Sequence, residues 1–206
     1  GCKSVVVVLM NYLPERRQAE HLPKIAKYAY SKVDYHTVMK QKLRQLESRI
    51  IAEYGEDCVS KDHQHSFSDS APILEKRWAE KAGLGWIGRN SLLIHPKLGS
   101  YVFIGILLLN VDVTPSEAPF PFRCGNCRKC IDACPTNALN GKGMDPRKCI
   151  SYLTLESKSE IPGELKDKLS GCIAGCDICN DVCPWNKRFG HPHNHEELTP
   201  TPEIFS

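Results

Sequence analysis

The sequence predicts an α+β protein in which an α/β domain, residues 1–112, is followed by a small cysteine-rich domain, residues 113–190, and a polar tail, residues 191–206. Three observations lead to this division. Strand-like apolar runs alternate with helical apolar patterns in the first part of the chain. Three prolines without helical or strand periodicity lie between Val111 and Phe122. Nine of the eleven cysteines then fall between Cys124 and Cys183.

The elements of the first domain follow from the spacing of its apolar residues. Val5 to Tyr12 is a β-branched run that is typical of a buried strand. Apolar residues recur at helical spacing from about Asp34 to Tyr54, so we expect a long amphipathic helix that ends at Gly55. A shorter helix should start near Pro72, followed by a glycine-punctuated loop and a strand from Tyr101 to Leu109.

The cysteine-rich domain has only short helical segments between its cysteines, including one with Pro146 at its start. Its stability should therefore depend on what the cysteines bind. The tail after His191 shows no core pattern. Its run HPHNHEE has three alternating histidines, for which a solvated loop is the favoured interpretation and a metal site the alternative.

Composition limits the classes of protein that this chain can represent. Hydrophobic residues make up 41% and charged residues 25% of the 206 residues, which is enough for a globular core. The apolar run from Val102 to Leu109 is far shorter than the ~20 residues of a membrane-spanning helix. No signal-peptide pattern is visible at the start, so we expect a cytoplasmic protein without a membrane partner. We also expect a monomer. The net charge of +3 neither requires nor excludes a nucleic-acid partner.

The first group of cysteines has the spacing of an iron–sulfur site. Cys124, Cys127, Cys130 and Cys134 follow the pattern C-x2-C-x2-C-x3-C with Pro135 next, as in ferredoxins that hold two [4Fe–4S] clusters. In that arrangement three thiolates bind one cluster and the fourth reaches its neighbour. Zinc is the alternative, but zinc sites generally use two separated C-x2-C pairs.

The second group of cysteines nearly repeats the first. Cys176, Cys179 and Cys183 precede a proline, and Cys172 lies one position further from Cys176 than the motif requires. The exchange of ligands between clusters predicts one cluster on Cys124, Cys127, Cys130 and Cys183, and a second on Cys134, Cys176, Cys179 and one further cysteine. Spacing slightly favours Cys172 as that further ligand, and Cys149 is the alternative.

Several segments, in order along the chain, resemble one known family. They are VDYHTVMKQKLRQL, SDSAPILEKRWAEKAGLGWIGRNSLLIHPKLGSYVFIG, CGNCRKCIDACPTNAL, CISYLTLES and GCDICNDVCPWNK. Together they resemble epoxyqueuosine reductase, the cobalamin- and iron–sulfur-dependent enzyme of tRNA queuosine synthesis. The resemblance implies a nitroreductase-like domain that binds base-off cobalamin, followed by a bacterial-ferredoxin-like domain whose two [4Fe–4S] clusters deliver electrons to cobalt. The reduced corrinoid would remove the epoxide oxygen of epoxyqueuosine at the wobble position of a tRNA anticodon.

The same resemblance implies roles for individual residues. Asp69 matches the family's proposed general acid, although an aspartate before Ser-x-Pro is by itself typical of a helix N-cap. The glycines of GLGWIGRN would let the backbone approach a bulky ligand. The family keeps a cysteine in CISYLT and has none at the position of Cys172, which implies Cys149 as the fourth ligand of the second cluster. The remaining implied cofactor contacts are Tyr35, His36, Ser70, Trp86, Gly88, Asn90 and Asn186.

Members of that family carry several dozen more residues before the first strand and often a helical-repeat extension after VCPWN, so we expect a core or shortened form here. Its partners would be a tRNA anticodon stem-loop that carries epoxyqueuosine and an external electron donor. Two other functions fit part of the sequence. A corrinoid reductive dehalogenase would share the cofactors, and a ferredoxin-type electron-transfer protein would need the clusters alone.

Overall fold

The structure is a computed structural model, and it describes residues 1–59, 64–115 and 118–205. Its strands are β1 Ser4–Asn11, β2 Lys24–Ile25, β3 Ser66–Phe67, β4 Trp86–Ile87, β5 Leu93–Ile94, β6 Val102–Leu109 and β7 Cys172–Ala174. Its α-helices are α1 Tyr35–Tyr54, α2 Glu75–Lys81, α3 Lys129–Asp132, α4 Ile150–Leu155, α5 Gly163–Lys166, α6 Ile178–Asp181 and α7 Pro184–Phe189. Single 3₁₀ turns lie at Lys27–Ala29, Glu56–Cys58, Pro146–Lys148, Glu196–Leu198 and Pro202–Phe205. In these described ranges, no helix is both long and apolar enough to cross a membrane.

Strand β6 is the centre of a three-stranded antiparallel sheet in the order β1-β6-β3. Strand β1 pairs with β6 along its whole length, and β3 pairs with the other edge of β6. This central position explains why β6 reads as a nearly continuous apolar run, since Ile106 and Leu107 are both fully buried. Both strands predicted here are confirmed to within one residue at each end.

Helix α1 packs on this sheet and forms the main core with it. The Asp34 carboxylate caps the helix by accepting the backbone N–H of His36 at 2.9 Å, and Gly55 ends it with a positive φ of 84°. Buried Val38 and Met39 pack in one cluster with Phe103 of β6. The predicted helix from Asp34 to Tyr54 is confirmed, with Asp34 as the residue that begins it.

The helix that the sequence placed near Pro72 begins three positions later. Helix α2 starts at Glu75, because the preceding segment closes two tight turns instead of a helical turn. The Ile73 N–H donates to the Ala71 carbonyl at 2.7 Å, and the Glu75 N–H donates to the Ile73 carbonyl at 2.9 Å. Asp69 therefore caps no helix, which overturns the N-cap interpretation of that residue.

The glycine-punctuated segment is a hairpin rather than a loop. Strands β4 and β5 pair antiparallel, with Trp86 opposite Ile94. A Cβ at Gly85 would collide with the Ile94 carbonyl, and one at Gly88 would meet the Ile94 side chain at 2.5 Å. These glycines therefore make room for the protein's own neighbouring strand, and their expected role in admitting a ligand stays a prediction.

The cysteine-rich part is joined to the start of the chain through backbone hydrogen bonds. Strand β2 pairs in parallel with β7, with Lys24 opposite Cys172. The last residues also return to the first part: Leu198 is 3% exposed inside the core beneath α1, and the Thr201 N–H donates to the Tyr30 carbonyl at 2.8 Å. The tail therefore contributes to the core, although its sequence shows no core pattern.

Candidate functional site

Four cysteines from distant parts of the chain surround one cavity. Cys124, Cys127 and Cys130 come from the turn before α3 and from α3 itself, and Cys183 comes directly before α7. Their side chains line a cavity of about 210 Å³. Burial, followed by the charges of Cys183 and Cys124, raises the pKa of the Cys130 thiol, and burial likewise raises the pKa of Cys183. A metal bound here would therefore have to displace thiol protons.

The remaining cysteines of the region form a second group next to the first. Burial is the main reason that the pKa of the Cys179 thiol rises to about 12. The charges of nearby thiols, which include those of Cys149 and Cys134, raise this pKa further. The thiols of Cys172 and Cys176 interact with each other, and this interaction raises the pKa of Cys176 and lowers the pKa of Cys172. Both candidates for the fourth ligand therefore lie near this group, Cys149 beside Cys179 and Cys172 beside Cys176.

Cys134 ends the first motif in a turn that favours its thiolate. Burial alone would raise the pKa of Cys134, but hydrogen bonds from the Thr136 hydroxyl and from the backbone N–H groups of Ala138 and Leu139 lower it overall. Within residues 1–59, 64–115 and 118–205, no three His, Cys, Asp or Glu side chains converge as they would on a single metal ion. The thiols surround a cavity instead, as suits a cluster in which each iron takes one thiolate.

A buried lysine from the first part of the chain contacts the second cysteine group. The Lys27 ammonium lies 3.4 Å from an Asp177 carboxylate oxygen and 2.8 Å from Asp181, and its side chain is only 6% exposed. The Lys27 backbone N–H also donates to Asp177 at 2.7 Å, and the Tyr101 hydroxyl donates to Asp181 at 2.6 Å. Asp177 lies between Cys176 and Cys179, so this network positions the segment that carries both thiols.

Asp69 lies at a strained turn with its carboxylate exposed. Its φ is 51°, in the left-handed region that a non-glycine residue rarely adopts, and its backbone N–H donates to the Glu75 carboxylate at 2.6 Å. The Tyr35 hydroxyl donates to the Asp69 carboxylate at 3.0 Å. The Tyr35 ring is stacked on Phe103 with ring centres 4.1 Å apart and meets Tyr28 edge-on at 5.8 Å. Burial, and then Asp69 itself, raises the pKa of Tyr35, which keeps the phenol a donor at neutral pH.

Asp69 also lies on the rim of a groove, which we call the Asp69 groove. It has a volume of about 670 Å³ and runs from α2 and β4 to the turn at residues 141–143. Its apolar walls include Leu74 and Phe122, which are 73% and 54% exposed. Its basic residues are Lys76, Arg77, Arg89 and Lys142, and Gly141 and Gly143 complete the far wall.

The residues that the resemblance implied as cofactor contacts do not lie together in one cavity. Tyr35 and His36 lie beside Asp69, with the His36 ring stacked on Tyr35 at 4.0 Å, while Ser70 and His36 line a separate cavity of about 270 Å³. Gly88 lines the Asp69 groove. Trp86 is 1% exposed and packs on Cys183.

Two implied contacts, Asn90 and Asn186, point elsewhere. Asn90 lines the cavity of the first four cysteines rather than the Asp69 groove. The Asn186 amide is already engaged within the protein: its oxygen accepts the Ser100 N–H at 2.6 Å, and its nitrogen donates to the Asn180 carbonyl at 2.8 Å. The Asn186 amide thus joins α7 to the segment before β6 and to α6, and a cofactor contact of this residue stays a prediction.

Sequence reasoning did not single out Glu75, Lys27 or Arg89. The SDSAPILE segment, which places Glu75 after the Asp69 turn, was the available signal for Glu75. The partners of Lys27 lie 150 and 154 positions away, so no local pattern marks it. Arg89 lines both the Asp69 groove and the cavity of the first four cysteines, and it donates to the Gly125 carbonyl at 3.0 Å.

Comparisons with known proteins match both parts of the chain. Residues 1–70 match the family model described as "Epoxyqueuosine reductase QueG, DUF1730", and residues 123–186 match that of a "4Fe-4S double cluster binding domain". An epoxyqueuosine reductase from Leadbetterella byssophila is 50% identical over 206 residues, 99% of this chain and 65% of that protein. One from Synechocystis sp. is 40% identical over 204 residues, 97% of this chain and 68% of that protein.

Solved structures give the same result. A crystal structure of epoxyqueuosine reductase with an epoxyqueuosine-modified tyrosine tRNA stem loop matches with a TM-score of 0.80 and 33% identity over 98% of this chain and 53% of that chain. The Bacillus subtilis enzyme matches with a TM-score of 0.81 and 33% identity, over 98% of this chain and 53% of that one, and its catalytic aspartate loop is swung out of the active site. The chain spans about two thirds of the length of the curated relatives. The resemblance drawn from the sequence motifs is confirmed, and this chain belongs to the epoxyqueuosine reductase family.

Proposed function

We propose that this chain carries the catalytic core of an epoxyqueuosine reductase, which converts epoxyqueuosine at the wobble position of a tRNA to queuosine. The observation that carries the proposal is the Asp69 carboxylate, held by Tyr35 at 3.0 Å on the rim of the Asp69 groove. That groove extends from Asp69 to the turn at residues 141–143 of the cysteine-rich part. The relatives matched over nearly the whole chain carry this activity in their names.

The cysteines are proposed to hold two [4Fe–4S] clusters. Cys124, Cys127, Cys130 and Cys183 would hold the first, and their shared cavity of about 210 Å³ supports this set. Cys134, Cys149, Cys176 and Cys179 would hold the second. Both Cys149 and Cys172 lie near this group, and the family resemblance favours Cys149 as the fourth ligand, so that Cys172 would be a neighbour of Cys176 without a ligand role.

The Asp69 groove fits a corrinoid in the chemistry of its walls. A corrin ring is flat and largely apolar with amide groups at its edge, and the groove offers exposed Leu74 and Phe122 beside basic and hydroxyl groups. Tyr35, His36 and Gly88 are the implied contacts that lie at this groove or beside Asp69. Cobalamin, when bound, would supply the reducing metal centre for cleavage of the C–O bonds. We also propose that residues 1–112 form a nitroreductase-like domain.

The reaction needs a proton donor, and we assign that role to Asp69. Removal of the epoxide oxygen takes two electrons and two protons, releases the oxygen as water and leaves a carbon–carbon double bond. The departing oxygen needs a proton donor within hydrogen-bond reach, and the exposed Asp69 carboxyl can reach a substrate in the groove. Tyr35 and the Glu75 contact hold Asp69 in its strained turn, which limits the positions that the acid can take.

Substrate and electron donor complete the proposal. A wobble nucleoside would have to be splayed out of the anticodon stack to enter the groove. The basic residues on the groove, Lys76, Arg77, Arg89 and Lys142, could contact the flanking phosphates. We propose an external electron donor, a monomer, and a cytoplasmic location where tRNA substrates are found. The names of the relatives support this activity over the dehalogenase and ferredoxin alternatives.

The test is anaerobic reconstitution of the chain with iron, sulfide and cobalamin, followed by chemical reduction and mass spectrometry of tRNA that contains epoxyqueuosine. We expect the nucleoside to lose one oxygen atom.

Asp69→Asn should slow turnover by roughly 10²–10⁴-fold while iron and corrinoid content stay unchanged, since it removes only the proton donor. Asp112→Asn is the matched control, because Asp112 is 85% exposed, pairs with Lys3 and does not line the groove. Conversion by Asp69→Asn at the parent rate would remove Asp69 as the acid, and bound cofactors with no oxygen loss would remove the reductase function.

A further inference from the structure

Asn90 has a buried hydrogen-bond donor that the protein itself does not use. The residue lies in the turn between β4 and β5 and is 5% exposed. Its side-chain oxygen accepts the Leu92 backbone N–H at 3.3 Å. Its side-chain nitrogen has no partner among the residues that the structure describes. A buried amide without a partner is costly, so the position points to a partner of another kind.

The orientation of the amide is determined by its surroundings. Exchanging its oxygen and nitrogen would set an NH₂ group against the Leu92 N–H, two donors facing each other. The nitrogen must therefore lie on the side away from Leu92. Asn90 lines the cavity of about 210 Å³ that Cys124, Cys127 and Cys130 also line. The same core contains another buried donor without a partner, the Trp86 indole Nε1, and Trp86 packs on Cys183.

We propose that the Asn90 amide donates an N–H···S hydrogen bond to the cluster held by Cys124, Cys127, Cys130 and Cys183. This makes Asn90 a residue that positions that cluster and sets its reduction potential, rather than a corrinoid contact. The inference rests on the cluster assignment within the proposed function. Hydrogen bonds to the sulfurs of a cluster stabilise its more negative, reduced form and so raise its potential. A residue of the first part of the chain would thereby raise the reduction potential of the cluster that passes electrons to it.

The test compares three variants in anaerobically reconstituted protein. Asn90→Asp keeps the oxygen that accepts the Leu92 N–H and removes the donor, and Asn90→Leu removes the donor without adding charge. Asn140→Asp is the control, because the oxygen of exposed Asn140 accepts the Lys142 N–H in the same local geometry, at 2.9 Å. Iron content is measured first, and the potential of the cluster follows from redox titration monitored by electron paramagnetic resonance.

We expect both Asn90 variants to shift the reduced-to-oxidised ratio of this cluster about tenfold toward the oxidised form at a fixed applied potential. For a one-electron couple that is about 59 mV. The control should leave the ratio unchanged. Electron–nuclear double resonance on the reduced parent, labelled with ¹⁵N-asparagine, should show a nitrogen coupling to the cluster that Asn90→Leu lacks.

Each other outcome overturns the inference in a recognisable way. A shift in Asn90→Asp without one in Asn90→Leu would show an effect of charge and no hydrogen bond. A parent with both clusters and no ¹⁵N coupling also excludes the bond, even if a variant fails to fold, and leaves the proposed reductase function standing. A parent that binds no cluster at these four cysteines removes both proposals together.

Discussion

Replacing Lys27 with methionine should destabilise the protein far more than the loss of an ordinary surface ion pair. The Lys27 ammonium is 2.8 Å from Asp181 and 3.4 Å from Asp177, with its side chain 6% exposed. The substitution keeps most of the apolar length of the side chain. It leaves the Asp177 carboxylate, itself 10% exposed, without its buried countercharge.

The size of the effect follows from what the two carboxylates keep. Breaking a buried pair by removing one partner typically costs about 3–5 kcal/mol. Asp177 still accepts the backbone N–H of residue 27, and Asp181 still accepts the Tyr101 hydroxyl, so we expect the lower end of that range. About 3 kcal/mol in a chain of 206 residues corresponds to a fall in Tm of about 6–12 °C.

Lys42→Met provides the matched control. Lys42 lies 2.9 Å from Glu197, nearly the same distance, but the two side chains are 38% and 46% exposed. An exposed pair contributes about 0.2–1 kcal/mol, so its loss should lower Tm by less than about 4 °C. Thermal unfolding of cluster-loaded protein, followed by circular dichroism under anaerobic conditions at one scan rate, measures both. Equal shifts for the two variants would refute the reasoning that burial decides the cost.

Two further predictions concern the cysteine assignment and the hairpin. Cys149→Ser should lose about half of the bound iron, because one of two clusters loses a ligand, and Cys172→Ser should retain it; the reverse result in an iron assay would assign the fourth ligand to Cys172. Gly85→Ala should destabilise the protein by about 1–3 kcal/mol, because its Cβ would collide with the Ile94 carbonyl. Gly163→Ala is the control, because this helical position is open, and it should be neutral or stabilising by up to about 1 kcal/mol. Chemical denaturation measures the stability of both variants. A Gly163→Ala protein less stable than the Gly85→Ala protein would contradict the packing argument.

The elements that the sequence predicted well are those whose pattern is local. Strands β1 and β6 and helix α1 follow from apolar runs and helical spacing within a few residues, and the structure has them at nearly the predicted bounds. The start of α2 was missed because consecutive tight turns after Ala71 replace the first helical turn. The tail was missed because Leu198 is one apolar residue in a polar stretch, and only the core beneath α1 gives it a place.

The candidate site also combines residues that the sequence identified with contacts that only the tertiary structure shows. The sequence alone identified the cysteines of both groups, since ligand spacing along the chain reflects the geometry of the clusters, and it identified the motif that carries Asp69. Tertiary structure decided which groups face one another. The Tyr35 contact with Asp69 joins positions 34 residues apart, and the Lys27 contact with Asp177 joins positions 150 apart. Such pairs leave no periodic trace in a sequence, because burial and hydrogen bonding depend on distances that the folded chain alone creates.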